Sequence, residues 1–130
     1  MFEDLVDFQP RTKPSQNRCV QAKKMIAETP KPPYYAVIFS SIKTEIDNEE
    51  YLIMSNKMIE LANKQTGFLG IESARNELGI TVSYWKDLIS IKNWKDDYEH
   101  QIAQKLGKSK WYKSYKTRIA KIESDYEYEN

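Results

Sequence analysis

Side chains that commonly perform chemistry are scarce in this chain of 130 residues. It contains one cysteine, Cys19, and one histidine, His100, so an intrachain disulfide and a cluster of cysteine and histidine metal ligands are both excluded. The sequence has no glycine-rich phosphate loop, no G-x-S-x-G, no H-E-x-x-H and no dinucleotide fingerprint. Aromatic side chains, in contrast, make up 12% of the residues. Such side chains either line pockets for organic ligands or fill cores.

The charge pattern restricts the possible partners. The net charge is +1, so the clustered excess of cations that binds nucleic acid is missing, and the basic run in residues 105–121 is followed by acidic residues. No apolar run approaches the roughly 18 residues of a membrane span. The acidic N-terminal residues do not resemble a secretory signal. We therefore expect a cytoplasmic protein with no nucleic-acid partner and no membrane partner.

The distribution of proline and glycine divides the chain in two. All five prolines lie within residues 1–33, and all four glycines lie after them. Residues 1–33 are predicted to be an extension with one short helix capped by Ser15, and residues 34–130 to be the folded domain. The apolar residues Phe2, Leu5, Val6 and Phe8 are costly to leave in water, which favours an arm packed on its own domain or on a partner subunit. A flexible tail is the alternative.

The domain shows an alternating order of elements. Strands are predicted at residues 34–42, 68–76, 80–86 and 114–126, the last with a bulge near Ile119 and Ile122. The second and third strands form a hairpin with Gly79 at its turn. Two helices are predicted, one from the cap Asp47 to the stop at Gly67 and one from the cap Asp87 to the stop at Gly107. Residues 108–113 are predicted to form a short helical turn.

This order predicts an α+β, ferredoxin-like split βαβ fold, in which one four-stranded antiparallel sheet carries both helices on one face. The first strand is apolar on both faces, with Tyr35, Val37 and Phe39 on one and Ala36 and Ile38 on the other. The face without helices therefore needs cover. We expect a homodimer whose two sheets stack around a two-fold axis, a dimeric α+β barrel. Cover by the N-terminal arm alone is the alternative.

Residues 34–126 resemble the antibiotic biosynthesis monooxygenase family of the dimeric α+β barrel superfamily. The resemblance rests on GFLGIES at residues 67–73, GITVSYWKD at residues 79–87, Trp94 in the second helix, and the pair Trp111-Tyr112. It implies the fold more specifically than the activity, because the superfamily holds several unrelated reactions.

The resemblance implies cofactor-free oxygenation of an aromatic or quinol-like small molecule. The substrate loses a proton and then reduces oxygen itself, so the site needs an aromatic enclosure and a group that stabilises the oxyanion. In this role Trp94 would orient the substrate, and Ser40 or Arg75 would hydrogen-bond it. Trp94 is also spaced as an ordinary core residue.

Three further residues are candidates for substrate binding. Glu72 lies on the second strand, and alternation places it on the face opposite Arg75. Trp111 and Tyr112 follow the second helix and would close the mouth of the pocket. The alternatives are packing for the two aromatic residues, and solvent-facing or cross-subunit pairing for Glu72 and Arg75.

The haem-degrading branch of the superfamily implies a histidine ten residues after the helical tryptophan and an asparagine on the first strand. Gln104 stands ten residues after Trp94, and the first strand offers Phe39, Ser40 and Ser41 instead. We therefore expect no cofactor and no metal. A non-catalytic small-molecule-binding or interaction protein on the same scaffold is the main alternative, and an isomerase of a small polar metabolite is a weaker one.

Overall fold

The computed structural model describes residues 25–45, 48–105 and 108–130, without the side chains of residues 48, 98–105 and 108–109. Predicted features at Phe2, Ser15, Cys19, Asp47 and Gly107 and at the side chains of His100 and Gln104 lie outside these residues. The elements are β1 (Tyr34–Lys43), α1 (Asn48–Asn63), β2 (Phe68–Arg75), β3 (Gly79–Trp85), α2 (Leu88–Lys105), α3 (Lys108–Trp111) and β4 (Tyr112–Ile122).

The four strands form one antiparallel sheet in the order β2-β3-β1-β4. The chain order β-α-β-β-α-β and this strand order confirm the predicted ferredoxin-like split βαβ fold. β1 is central and pairs with β3 on one side and β4 on the other, so Tyr35 stands opposite Trp85 and Ser41 opposite Gly79.

The helices cover one face of the sheet, which we call the inner face. Buried residues of α1 recur with a helical period at Tyr51, Met54, Met58 and Ala62. They share one apolar core with Trp85 of β3, Ile91 and Trp94 of α2, and the α3–β4 junction Trp111 and Tyr112. Tyr35, Val37 and Phe39 of β1 pack against this core, as the alternation predicted.

The start of α2 confirms its predicted cap. The Asp87 carboxylate accepts a hydrogen bond from the backbone N–H of Ser90 at 2.8 Å. Hydrogen bonds from the side chain and backbone of Ser90 lower the pKa of this carboxyl group. Side-chain oxygens in this position satisfy a backbone donor that the helix leaves unpaired.

The last strand differs from its prediction. β4 runs from Tyr112 to Ile122, so it begins two residues earlier and ends four residues earlier than expected. Its bulge is at Lys113, which is skipped between the pairs Ile42–Ser114 and Lys43–Tyr112. The prediction of a bulge at Ile119 was wrong, because Ile119 keeps regular pairing with Val37. The irregular apolar spacing has another cause: Ile119 is itself 53% exposed and does not belong to the apolar core.

The face without helices, here the open face, is partly covered by the segment that precedes β1. The backbone N–H of Ala27 donates to a Glu72 carboxylate oxygen at 2.9 Å. A side chain at Gly70 would come within 2.9 Å of the Ala27 methyl carbon, so Gly70 allows this close approach. The described end of the predicted arm thus contacts the sheet, while the apolar residues on which the prediction of a packed arm rested, Phe2, Leu5, Val6 and Phe8, lie outside the described residues.

Candidate functional site

Aromatic residues cluster on the inner face where β1 ends and β4 begins. Ring centroids lie 5.4 Å apart for Phe39 and Tyr112, 5.4 Å for Phe39 and Tyr115, and 6.1 Å for Tyr51 and Trp111. Most of these pairs meet edge to face, the favoured geometry for such rings. We call these five residues the aromatic end of the inner face.

The three most buried residues of the aromatic end, Tyr51, Trp111 and Tyr112, each carry a polar atom. The hydroxyl groups of Tyr51 and Tyr112 hydrogen-bond each other at 3.2 Å. Trp111 is fully buried, and its indole N–H has no acceptor among the residues that the structure describes. The Lys43 ammonium lies 4.5 Å from the centroid of the Tyr51 ring. A buried donor without an acceptor costs free energy, so a ligand oxygen reaching Trp111 would gain a hydrogen bond there.

Arg75 brings a second cation to this end of the sheet. Its guanidinium crosses over β3 from β2 and donates to the Ser41 hydroxyl on β1 at 2.6 Å. The absence of a side chain at Gly79 makes the crossing possible, since a methyl group there would overlap the guanidinium. The prediction that Gly79 forms the hairpin turn was wrong: the turn is residues 76–78, and Gly79 starts β3 opposite Arg75.

A row of hydroxyl groups separates the aromatic end from the other end of the inner face. Ser73 and Thr81 hydrogen-bond each other at 3.0 Å, and the Trp85 indole donates to Ser83 at 2.9 Å. All four of these residues are buried. Hydroxyl groups with partners are tolerated in a core, so the row needs no ligand to be stable.

Trp94 lies at the far end of the inner face. Its ring stacks on Trp85 with the centroids 5.9 Å apart, and it is buried. Trp85 and Gly79 are six residues apart on β3, a separation of about 20 Å. Of the three predicted catalytic residues, Trp94 and Arg75 thus share the inner face but occupy opposite ends. Trp111 and Tyr112 lie in the core beside the Arg75 end rather than at a surface rim.

Ser40 and Glu72 lie on the open face, as alternation requires. Glu72 accepts a hydrogen bond from the Tyr84 hydroxyl at 2.7 Å in addition to the one from Ala27. Burial of Tyr84, and then its hydrogen bond to the Glu72 carboxylate, raise the pKa of that phenol. The predicted placement of Glu72 opposite Ser73 and Arg75 is confirmed.

Ser40 belongs to a shallow hollow of about 270 Å³ near the exposed end of the open face. Its lining is mostly apolar, with hydroxyl groups and one cation. The lining residues are Ser40, Ser41, Ile42, Leu78, Ser114, Tyr115 and Lys116.

Four further residues belong to this site although the sequence did not indicate them: Ser41, Lys43, Tyr51 and Tyr115. Tyr51 is also part of the buried stripe of α1. The period of two along β1 places Ser41 and Lys43 on the face of Phe39, and that signal alone could have indicated them. Tyr115 could not be placed, since the bulge at Lys113 shifts its side chain to the inner face.

Neither a metal site nor a membrane span occurs within the described parts of the chain. Across residues 25–45, 48–105 and 108–130, histidine, cysteine and carboxylate side chains do not gather in threes around a possible cation position. The helices described there are too short or too polar to cross a bilayer.

Comparison with known proteins gives relatives for both the sequence and the fold. No protein-family model matches the chain. The fold is similar to that of PA3566 from Pseudomonas aeruginosa, with a TM-score of 0.56 over 75% of this chain and 99% of that protein, at 12% identity. The sequence is 49% identical over 100 residues to the uncharacterised protein YqjZ of Bacillus subtilis strain 168, covering 75% of this chain and 87% of YqjZ. The chain belongs to the same protein family as YqjZ.

Proposed function

We propose that the chain is a homodimeric, cofactor-independent monooxygenase that acts on an aromatic or quinol-like small molecule at the aromatic end of the inner face. The observation that carries the proposal is the buried indole N–H of Trp111, for which the described part of the chain supplies no acceptor and around which the neighbouring side chains are largely aromatic. A phenolic oxygen bound among these rings would accept that hydrogen bond.

The charges at the aromatic end favour an anionic ligand. The Arg75 guanidinium and the Lys43 ammonium both approach this end of the sheet. Fixed cations and donors away from bulk water stabilise a phenolate more strongly than they would in water. A phenolate is electron-rich enough to react with oxygen directly.

The reaction needs no external reductant. A phenol with a free para C–H becomes a quinone: one oxygen atom of O₂ forms the new carbonyl group, and the other leaves as water with the two hydrogens. All four electrons come from the substrate. In this scheme Arg75 holds the oxyanion, Trp111 donates a hydrogen bond, and Tyr51 and Tyr112 form the walls that exclude water.

The geometry also favours Arg75 over Ser40 for the predicted hydrogen bond to the substrate. Ser40 is on the open face, so the hydrogen bond to the substrate is assigned to Arg75. Trp94 stacks on Trp85, which lies about 20 Å from Gly79 along β3, and Trp94 is assigned to packing there.

Oxygen uptake on a panel of phenols and quinols tests the proposal. We expect uptake that falls at least tenfold in Arg75→Met and in Trp111→Phe, and that is unchanged in Ser40→Ala. Trp94→Phe separates the two ends of the inner face and should keep turnover. Uptake that depends on Ser40 or Trp94 but not on Arg75 would contradict the assigned site.

A binding protein without catalysis is the second candidate. It is favoured by the ion pair of Glu50 with Lys110 at 3.7 Å, because Glu50, the carboxylate next to Tyr51 in the chain, is engaged in that pair. Quenching of tryptophan fluorescence by a panel compound, without oxygen uptake, would support this candidate.

A further inference from the structure

We propose that the hollow on the open face of one copy binds the acidic, tyrosine-bearing segment of a second copy. The acidic segment is residues 123–130, which follow β4. This inference deepens the homodimer of the proposed function by naming the contact that joins the two subunits, and it rests on that proposal.

The acidic segment has the alternating pattern of a strand but lies outside the sheet. Glu123, Asp125, Glu127 and Glu129 alternate with Ser124, Tyr126 and Tyr128. Tyr126 is 99% exposed and Tyr128 is 86% exposed. Tyrosine side chains bury large areas in protein interfaces, and two highly exposed tyrosines close together in the chain are typical of an interaction site.

The segment is fastened at its beginning. The Tyr34 hydroxyl donates to the Asp125 carboxylate at 2.6 Å and accepts from the Thr29 hydroxyl at 3.0 Å. Tyr34 is at the start of β1, on the half of the open face that the segment before β1 already covers. Asp125 is therefore held at that corner, and Tyr126 and Tyr128 project from it.

The hollow lies at the opposite end of the same face, in its exposed half. Leu78, Ile80 and Ile42 are there, with exposures of 48%, 40% and 37%. Lys116 lines the hollow, and Arg118 is the next residue of β4 on the same face. The apolar lining fits a phenol ring, and the two cations fit Glu127 and Glu129 beside the tyrosines.

A chain cannot fill its own hollow in this way. Ser41, in the wall of the hollow, is seven residues from Tyr34 along β1, a separation of about 23 Å. Tyr128 is three residues beyond Asp125, so its backbone can move at most about 11 Å away. Tyr126 and Tyr128 are 99% and 86% exposed and so do not enter the hollow of their own chain, and we therefore take the occupant from another copy.

A two-fold axis satisfies both copies at once. If the open faces stack with their β1 strands antiparallel, the Tyr34 corner of each copy lies over the Ser40 end of the other. Each acidic segment then enters the other copy's hollow, and the same contact is made twice, as a closed dimer requires. The segment before β1 and the second copy thus divide the cover of the open face between them.

Light scattering over a concentration series tests the contact. We expect the wild-type chain to form a dimer of twice 15.3 kDa. The double variant Tyr126→Ser, Tyr128→Ser should show a dimer dissociation constant raised roughly tenfold or more, so that it dissociates at protein concentrations at which the wild-type chain is still a dimer. The matched control is Leu88→Ser, Ile89→Ser, which removes exposed apolar side chains from α2 and should leave the dimer unchanged.

A cross-link identifies the contact itself. In a Cys19→Ser background, we would mix one chain carrying Tyr128→Cys with another carrying Ser114→Cys under a mild oxidant. A disulfide-linked pair containing one of each chain supports the inference. A dimer that persists in the double tyrosine variant, or a dimer without this cross-link, overturns the inference while leaving the homodimer of the proposed function in place. A monomer at every concentration overturns both, and oxygen uptake tests the catalytic proposal separately.

Discussion

The crossing of Arg75 over Gly79 gives a prediction that depends on one missing methyl group. Gly79→Ala would place a methyl carbon inside the space of the guanidinium. The backbone at Gly79 is that of an ordinary strand opposite Arg75 and Ser41, so alanine has no conformational penalty of its own there. The substitution should therefore act only by displacing Arg75 from Ser41.

The size of the effect follows from the contact that is lost. The hydrogen bond from Arg75 to Ser41 is short, at 2.6 Å, and its donor is charged. Such bonds contribute about 1.5–3 kcal/mol when buried, and Arg75 is only half-buried with a flexible side chain. We expect Gly79→Ala to lower the free energy of unfolding by about 1–2 kcal/mol.

Urea denaturation, followed by tryptophan fluorescence, measures this change in two backgrounds. In the Arg75→Met background the guanidinium is absent, and Gly79→Ala should be neutral or stabilising by up to about 1 kcal/mol, since alanine restricts the unfolded chain more than glycine does. The difference between backgrounds is the coupling energy of the two positions. An equal loss of stability in both backgrounds would refute the explanation of Gly79 as space for Arg75.

Two further predictions concern other parts of the fold. Burial and the Glu72 carboxylate raise the pKa of Tyr84 in the folded state. The contribution of Tyr84 to stability is therefore complete below pH 10 and is lost as the pH rises through the pKa of the folded state. Tyr84→Phe should flatten the fall of the urea midpoint above pH 10, and an unchanged fall would contradict this explanation. Gly67 has a φ of 90° and faces the Ser90 side chain. Gly67→Ala should therefore lower the free energy of unfolding by about 1–3 kcal/mol. A loss below about 0.5 kcal/mol in the urea titration would contradict this, because the turn would then accommodate the added methyl group.

The sequence was sufficient for the fold because two simple periods carry it. The period of two in β1 separates Val37 and Phe39 from Ala36 and Ile38, and the helical period of Tyr51, Met54 and Met58 selects the face of α1 that is buried. Asp87 and the glycines after the helices mark the ends of elements by local chemistry. None of these signals depends on distant contacts.

The candidate site could be predicted only in part, because its members meet through tertiary geometry. Arg75 reaches Ser41 across an intervening strand, and no spacing along the chain records that crossing. Trp94 stacks on Trp85 and Arg75 pairs with Gly79, and these two β3 residues lie at opposite ends of one strand. The contact of Trp94 with Trp85 separates Trp94 from Arg75, and it could not be predicted from the spacing of residues along the chain. Ser40 was chosen over its neighbour Ser41, and a difference of one residue changes the face of the sheet.

The position of β4 at the edge of the sheet limits how copies of this chain can join. Lys113, Lys116, Arg118 and Lys121 are exposed along this strand, and Lys43 lies opposite its start. Two such edges brought side by side would set rows of like charge against each other, which disfavours a continuous sheet across subunits. The charged edge therefore disfavours edge-to-edge strand pairing into fibrils or open oligomers, and self-association is left to the faces of the sheet. Neutralising those charges, for example by substitution with glutamine, would remove this protection without changing the core.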